Sequence, residues 1–194
     1  GSDVYSAQVY AKGAENLQRL IAQGALGRQP QPAYYLYRQV MGRHTQVGIV
    51  AAVSCEEYLA NTIRKHEFTR PDKEDDRVRH IEALNAQTGP VFLTYRANAA
   101  IDAFVVRRIA APPDVDFTAA DGVRHSSWTV ADAEGIEVLE RAFEAIAHLY
   151  IADGHHRSAA AGRVYRARGG AGASAHFLTV TFPHDQMQIL PYNR

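Results

Sequence analysis

Cysteine is nearly absent: Cys55 is the only one in 194 residues. An internal disulfide framework and a cysteine-rich zinc site are therefore excluded. Charge of one sign is also lacking, since Lys+Arg and Asp+Glu number 21 each. Without an excess there is no whole-surface field to attract nucleic acid or an anionic membrane. No apolar run approaches the ~20 residues needed to span a bilayer, and no secretory signal is recognisable. No helix-turn-helix reader of DNA can be read from the pattern. A cytosolic protein is expected, without a membrane or nucleic-acid partner and with a small molecule as its substrate. Internal repeats are missing, and only the Gly-Gly-Ala-Gly-Ala stretch at 169–173 is biased enough to read as a flexible loop.

Apolar residues make up 46% of the chain and charged residues 22%, the balance of a folded domain that buries one core. Gly1-Ser2 reads as an expression scar, and the chain opens without a methionine. A single α+β domain cut from something longer is expected.

Periodicity supplies the elements. Leu17, Leu20 and Ile21 share one face of a helix over 14–22 that Gly24 and Gly27 stop. Residues 33–40 are aromatic and β-branched, and with 45–53 they read as a hairpin across Met41-Gly-Arg-His44. Ser54 caps a short helix over 55–60. Residues 63–70 have no clear period, and Pro71 then suits the first position of a helix to about Gln87. A strand over 91–95 and a helix over 99–109 follow. Residues 116–130 form a second hairpin across Asp121-Gly122. Ile136, Leu139, Phe143 and Ile146 stripe a helix over 133–147. A strand over 148–152 meets a helix entered through Ser158, and strands over 176–182 and 187–190 close the chain. Hairpins interspersed among helices predict a mixed α+β sheet and not a doubly wound parallel one.

The densest chemistry lies at Asp153-Gly154-His155-His156-Arg157, between a strand and a helix. A helix start offers unpaired N–H groups and partial positive charge, which bind anions. Arg157 adds a planar fork suited to phosphate or carboxylate. Gly154 admits a close backbone approach, and the alanines after Ser158 let the helix pack tightly. The structural alternative is a capped turn, with Asp153 as N-cap, Arg157 in a surface ion pair and the histidines solvated.

A second charged segment runs from Arg64 to Arg77. It reads either as a solvated face or as part of a site. On a helix from Pro71, with Thr69 or Arg70 at the cap, Lys73, Arg77 and His80 fall close to one face. Lys73 beside Arg77 is a like-charge pair that repels unless an anion sits between them. The Thr88-Gly89-Pro90 turn offers backbone N–H groups, whereas His125, alone on the second hairpin, is expected to be structural.

Three stretches together, Lys65-His66-Glu67-x-Thr69-Arg70-x-x-Lys73-Glu74-x-Asp76-Arg77, Asn85-Ala86-x-Thr88-Gly89-Pro90 and Ile151 to Arg157, resemble a prokaryotic family catalogued as domain of unknown function 1015. The resemblance covers nearly the whole chain, and it implies a protein of about twice this length. More locally, the Asp-Gly-His-His-Arg segment is similar to the phosphate-binding element of the ParB/sulfiredoxin-like superfamily, which includes free-serine kinases. Gly154, His156 and Arg157 match its Gly, His and Arg. His155 stands where sulfiredoxins carry their reactive cysteine, so sulfiredoxin chemistry is excluded. What this likeness implies is a ParB/sulfiredoxin-like core around the strand-turn-helix.

The expected function is a nucleotide-binding phosphotransferase or nucleotide hydrolase acting on a small molecule, with a nucleoside di- or triphosphate as cofactor. Gly154, His155, His156, Arg157 and the helix start at Ser158 would hold phosphate, while Arg70, Lys73 and Arg77 would neutralise developing charge. Glu67 beside His66 is the expected general base, and Asp153 the carboxylate for Mg²⁺. A nucleotide-responsive module without chemistry uses the same cradle. A metal-dependent hydrolase built from His66, Glu67, Asp153, His155 and His156 stands third. It lacks a His-Glu-x-x-His helix, and adjacent histidines do not easily reach one metal.

Overall fold

The computed structural model describes residues 6–190; Gly1-Ser2, read above as an expression scar, lies outside them. Among the described residues six α-helices and eight strands form an α+β architecture, as the interspersed hairpins imply. In chain order these are α1 (Ala7–Ala22), β1 (Tyr34–Met41), β2 (His44–Ser54), α2 (Cys55–Leu59), β3 (Ile63–Arg64), α3 (Pro71–Leu84) and β4 (Val91–Tyr95). They continue as α4 (Ala99–Ile109), β5 (Val115–Thr118), β6 (Arg124–Val130), α5 (Ala133–Glu144), β7 (Leu149–Asp153), α6 (His155–Ala167) and β8 (His176–Pro183). The strands make one mixed sheet in the order β3-β7-β4-β8-β2-β1-β6-β5. The chain falls into two compact units. One holds the residues up to Pro30 with Ala52–Val91 and Asp153–Leu178; the other holds Gln31–Ala51, Phe92–Ala152 and the residues from Thr179.

The second unit carries the larger apolar core. β1 pairs antiparallel with β2 on one side and β6 on the other, placing Leu36 opposite Ile49 and Trp128. These three, with Val130, Ile101 and Leu139, are buried together. The β1–β2 turn is tight because Gly42 takes φ +58°, and Gly122 at φ +83° serves the β5–β6 turn. Gly48 is required by packing: a Cβ there would lie 2.8 Å from the Phe182 ring. His125 is structural, as expected, since its Nδ1 meets the Tyr37 hydroxyl at 2.6 Å and its ring stacks between Tyr37 and Phe117.

In the first unit, α6 packs closely on α2. Ala160 and Ala161 are buried, and a Cβ on Gly162 would stand 3.3 Å from the Tyr58 ring. Small residues here are what let the two backbones approach. Cys55 is buried in the same layer, and burial pushes its thiol up to about 11, so it is no nucleophile at neutral pH.

Several boundaries differ from the sequence reading. α1 begins seven residues earlier, at Ala7, and its buried side chain is Tyr10, whose hydroxyl donates to Asp76 at 2.7 Å. The expected Leu20–Ile21 face is exposed, at 38% and 48%. α3 stops at Leu84 because Asn85 turns left-handed, φ +48°. α5 ends at Glu144. The two-residue strand β3 fell in a stretch without period. Residues 187–190 form no strand; Ile189 is 97% exposed there, and local β-propensity without a partner strand does not make a ladder.

Candidate functional site

The helix α6 starts at His155, not Ser158. The turn that launches it is Gly154, at φ +99°, a conformation that side chains with a Cβ reach only with strain. A Cβ at Gly154 would also lie 2.9 Å from Nη2 of Arg157. Gly154→Ala is therefore expected to destabilise the first unit by about 1–2 kcal/mol, read as a lower thermal midpoint. An unchanged midpoint would show that this turn relaxes without cost.

The earlier start changes what each residue can do. His155, His156 and Arg157 occupy the first turn, where backbone N–H groups have no intrahelical acceptor. The Ser158 N–H already bonds the Gly154 carbonyl at 3.0 Å. Its hydroxyl donates to the His155 carbonyl at 3.0 Å, and the side chain is fully buried. Ser158 thus supports the turn from behind and is not among the residues lining the cleft described below, whereas the expected helix start placed it in the cradle.

The two adjacent histidines diverge, as helical geometry requires of neighbours. His155 is 4% exposed and directs Nδ1 to Glu67 Oε2 at 3.4 Å, with its ring edge-on to His66 at 4.4 Å between centroids. Burial, and then the neighbouring His66, hold its pKa below the ordinary imidazole value, so it is neutral at pH 7. His156 turns the other way, and its Nε2 accepts the backbone N–H of Arg70 at 3.2 Å. That bond ties the start of α6 to the start of α3. With Nε2 accepting, the proton of neutral His156 sits on Nδ1.

Arg70 is the N-cap of α3 without a side-chain cap bond, and Pro71 follows at the first helical position. Thr69 donates its hydroxyl to Glu74, and Arg163 of α6 bonds Glu74 and Asp75 at 3.3 and 2.7 Å. The charged run is thus partly a structural clamp between α3 and α6. Glu67, Arg70, Lys73 and Arg77 of the run line a cleft of about 450 Å³ together with the whole segment Asp153 to Arg157.

Within that lining stand four cationic side chains, Arg70, Lys73, Arg77 and Arg157, against two carboxylates, Glu67 and Asp153. Asp153 accepts from Arg157 Nη2 at 2.8 Å, and Arg70 forks onto Asp72 at 2.8 and 3.1 Å. Both pairs are exposed, so solvent screens them and each holds its guanidinium only weakly. The starts of two helices, α3 and α6, border the same cleft and add positive potential.

Sequence reasoning undervalued the 87–91 turn. The Gln87 side chain bonds the His176 carbonyl at 3.1 Å and the Leu178 N–H at 2.8 Å, pinning the turn to β8. A Cβ on Gly89 would lie 3.3 Å from Cδ of Arg157. Arg77 and Arg157 also line a smaller depression with His80, Thr88 and Gly89. The glycine is therefore what lets the turn lie against the arginine stem.

As a class this is an α+β protein with a cation-rich cleft framed by two helix starts. This one belongs to the family described as protein of unknown function (DUF1015), whose model matches residues 1–194. No curated protein matches the chain, and no solved structure does. Among the described residues no helix is long and apolar enough to cross a membrane.

Proposed function

We propose that the cleft binds the phosphates of a nucleoside di- or triphosphate and transfers a phosphoryl group to a small-molecule hydroxyl or to water. The observation that carries this reading is the gathering of Arg70, Lys73, Arg77 and Arg157 around the first turn of α6 in one open cleft. Phosphoryl transfer is largely positioning and charge neutralisation, and clustered cations with unpaired helix N–H groups supply both. The likeness of Gly154, His156 and Arg157 to the ParB/sulfiredoxin-like phosphate element supports the same reading.

In this scheme the N–H groups of His155, His156 and Arg157 and the Arg157 guanidinium hold the phosphate to be transferred. An acceptor oxygen forms the new bond to phosphorus as the bond to the nucleotide's bridging oxygen breaks, and the nucleotide leaves with the bridging electrons. Activation of the acceptor falls to Glu67, which faces the imidazoles of His66 and His155, whereas Asp153 is engaged by Arg157. The acceptor's proton passes to Glu67. Mg²⁺ carried by the nucleotide would find Asp153 as its protein carboxylate.

Calorimetric titration with nucleoside di- and triphosphates, with and without Mg²⁺, tests the reading. Saturable binding at one site per chain is expected, with loss of the terminal phosphate once an acceptor is supplied. Tight binding with no product over long incubation would reduce the cleft to a nucleotide-responsive module. No binding by folded protein would remove the reading.

A further inference from the structure

We propose that His66, Glu67 and His155 form a binding site for a divalent transition-metal ion of the zinc type. One ligand atom from each of the three lies within 4.8 Å of the other two. The Glu67 carboxylate approaches both imidazoles, with Oε1 3.8 Å from His66 Nε2 and Oε2 3.4 Å from His155 Nδ1. Bonds of about 2.0–2.1 Å at tetrahedral angles place ligand atoms about 3.4 Å apart. The His155–Glu67 pair already has that spacing. With one atom taken from each residue the three span up to 4.8 Å, and the exposed His66 and Glu67 side chains, at 58% and 60%, have room to rotate inward.

The third member makes the cluster more than a surface coincidence. His155 is 4% exposed at the start of α6, so packing fixes its ring, and it presents Nδ1 to the Glu67 carboxylate. The donor set also selects the ion. Two neutral imidazoles and one carboxylate suit zinc and its borderline neighbours, whereas Mg²⁺ and Ca²⁺ prefer oxygen alone. Asp153, with its carboxylate on Arg157, stands outside this trio. The two carboxylates of the cleft thus serve different chemistry, Asp153 the phosphate-bound hard cation and Glu67 the imidazole-ligated ion.

Three protein ligands leave a coordination position open, the arrangement of catalytic rather than structural zinc sites. Glu67 and His155 line the phosphate cleft, so the open position belongs to the same cleft. With the ion bound, Glu67 serves as a ligand and no longer as a free base. Metal binding itself stands without the phosphoryl-transfer reading, and the ion alone is the probe.

The test is calorimetric titration of the chain with Zn²⁺ and absorption titration with Co²⁺, both without nucleotide. One ion per chain is expected, with the visible bands of four- or five-coordinate Co²⁺. His66→Ala and Glu67→Gln alter exposed side chains and should keep the fold, yet each should weaken binding at least about 100-fold. His44→Ala, a histidine of β2, should bind like the starting protein. Absence of stoichiometric binding overturns the site, as does binding unchanged in either variant. Nucleotide binding without a Co²⁺ signature defeats the metal site alone; a Co²⁺ signature without nucleotide binding defeats the phosphate reading alone.

Discussion

Glu67→Gln is expected to lower turnover by about 10²–10⁴-fold, the usual contribution of a positioned general base. The glutamine keeps the length and shape of the side chain, so nucleotide affinity should stay within about twofold. What is lost is the negative charge facing two imidazoles, at 3.8 Å from His66 and 3.4 Å from His155. An amide does not accept a proton at neutral pH, and it is not among the usual zinc ligands. The loss is therefore expected whether Glu67 acts as a base or as a metal ligand, and metal content distinguishes the two. Single-turnover measurement with saturating nucleotide is the suitable readout, because it separates chemistry from binding. Turnover equal to that of the starting protein would remove Glu67 from the mechanism.

Arg157→Ala is expected to weaken phosphate binding more than tenfold. A charge-assisted contact from a planar fork is worth about 1.5–3 kcal/mol, which converts to that range of affinity at about 1.4 kcal/mol per decade. The side chain is held before any ligand arrives. Its stem lies against Gly89, Nη2 bonds Asp153 at 2.8 Å, and Nε is buried without a hydrogen-bond partner among the described residues. Little ordering remains to be done on binding, so most of the contact energy is available as affinity. Arg157→Lys should recover only part of it, since an ammonium cannot offer two parallel donors. Calorimetry on the three proteins decides the matter. An affinity within twofold of the starting protein in Arg157→Ala would mean that the phosphate sits elsewhere.

Local pattern made much of this fold legible. β4 at Val91–Tyr95 and α4 at Ala99–Ile109 lie where composition and periodicity place them. Ser54 caps α2 by accepting from the N–H groups of Glu56 and Glu57, and Pro71 opens α3. These features depend on contacts a few residues apart, and short-range chemistry is enough to read them. The apolar face of α1 was misread because Leu20 and Ile21 have helical spacing but no core to enter. Its anchor is Tyr10, whose partner Asp76 is distant in sequence.

The cleft divides the same way. Residue type and order along Asp153–Arg157 and Glu67–Arg77 determined that this protein concentrates cations, carboxylates and imidazoles at helix starts. Only the tertiary structure decided which of them meet. It turned His155 inward to Glu67 and His66, turned His156 to the backbone of Arg70, and placed Ser158 behind the site. The physical reason is that Gly154 begins α6 three residues before the expected point. Each residue advances a helix by about 100°, so that shift reassigns every side chain in the turn to a new direction.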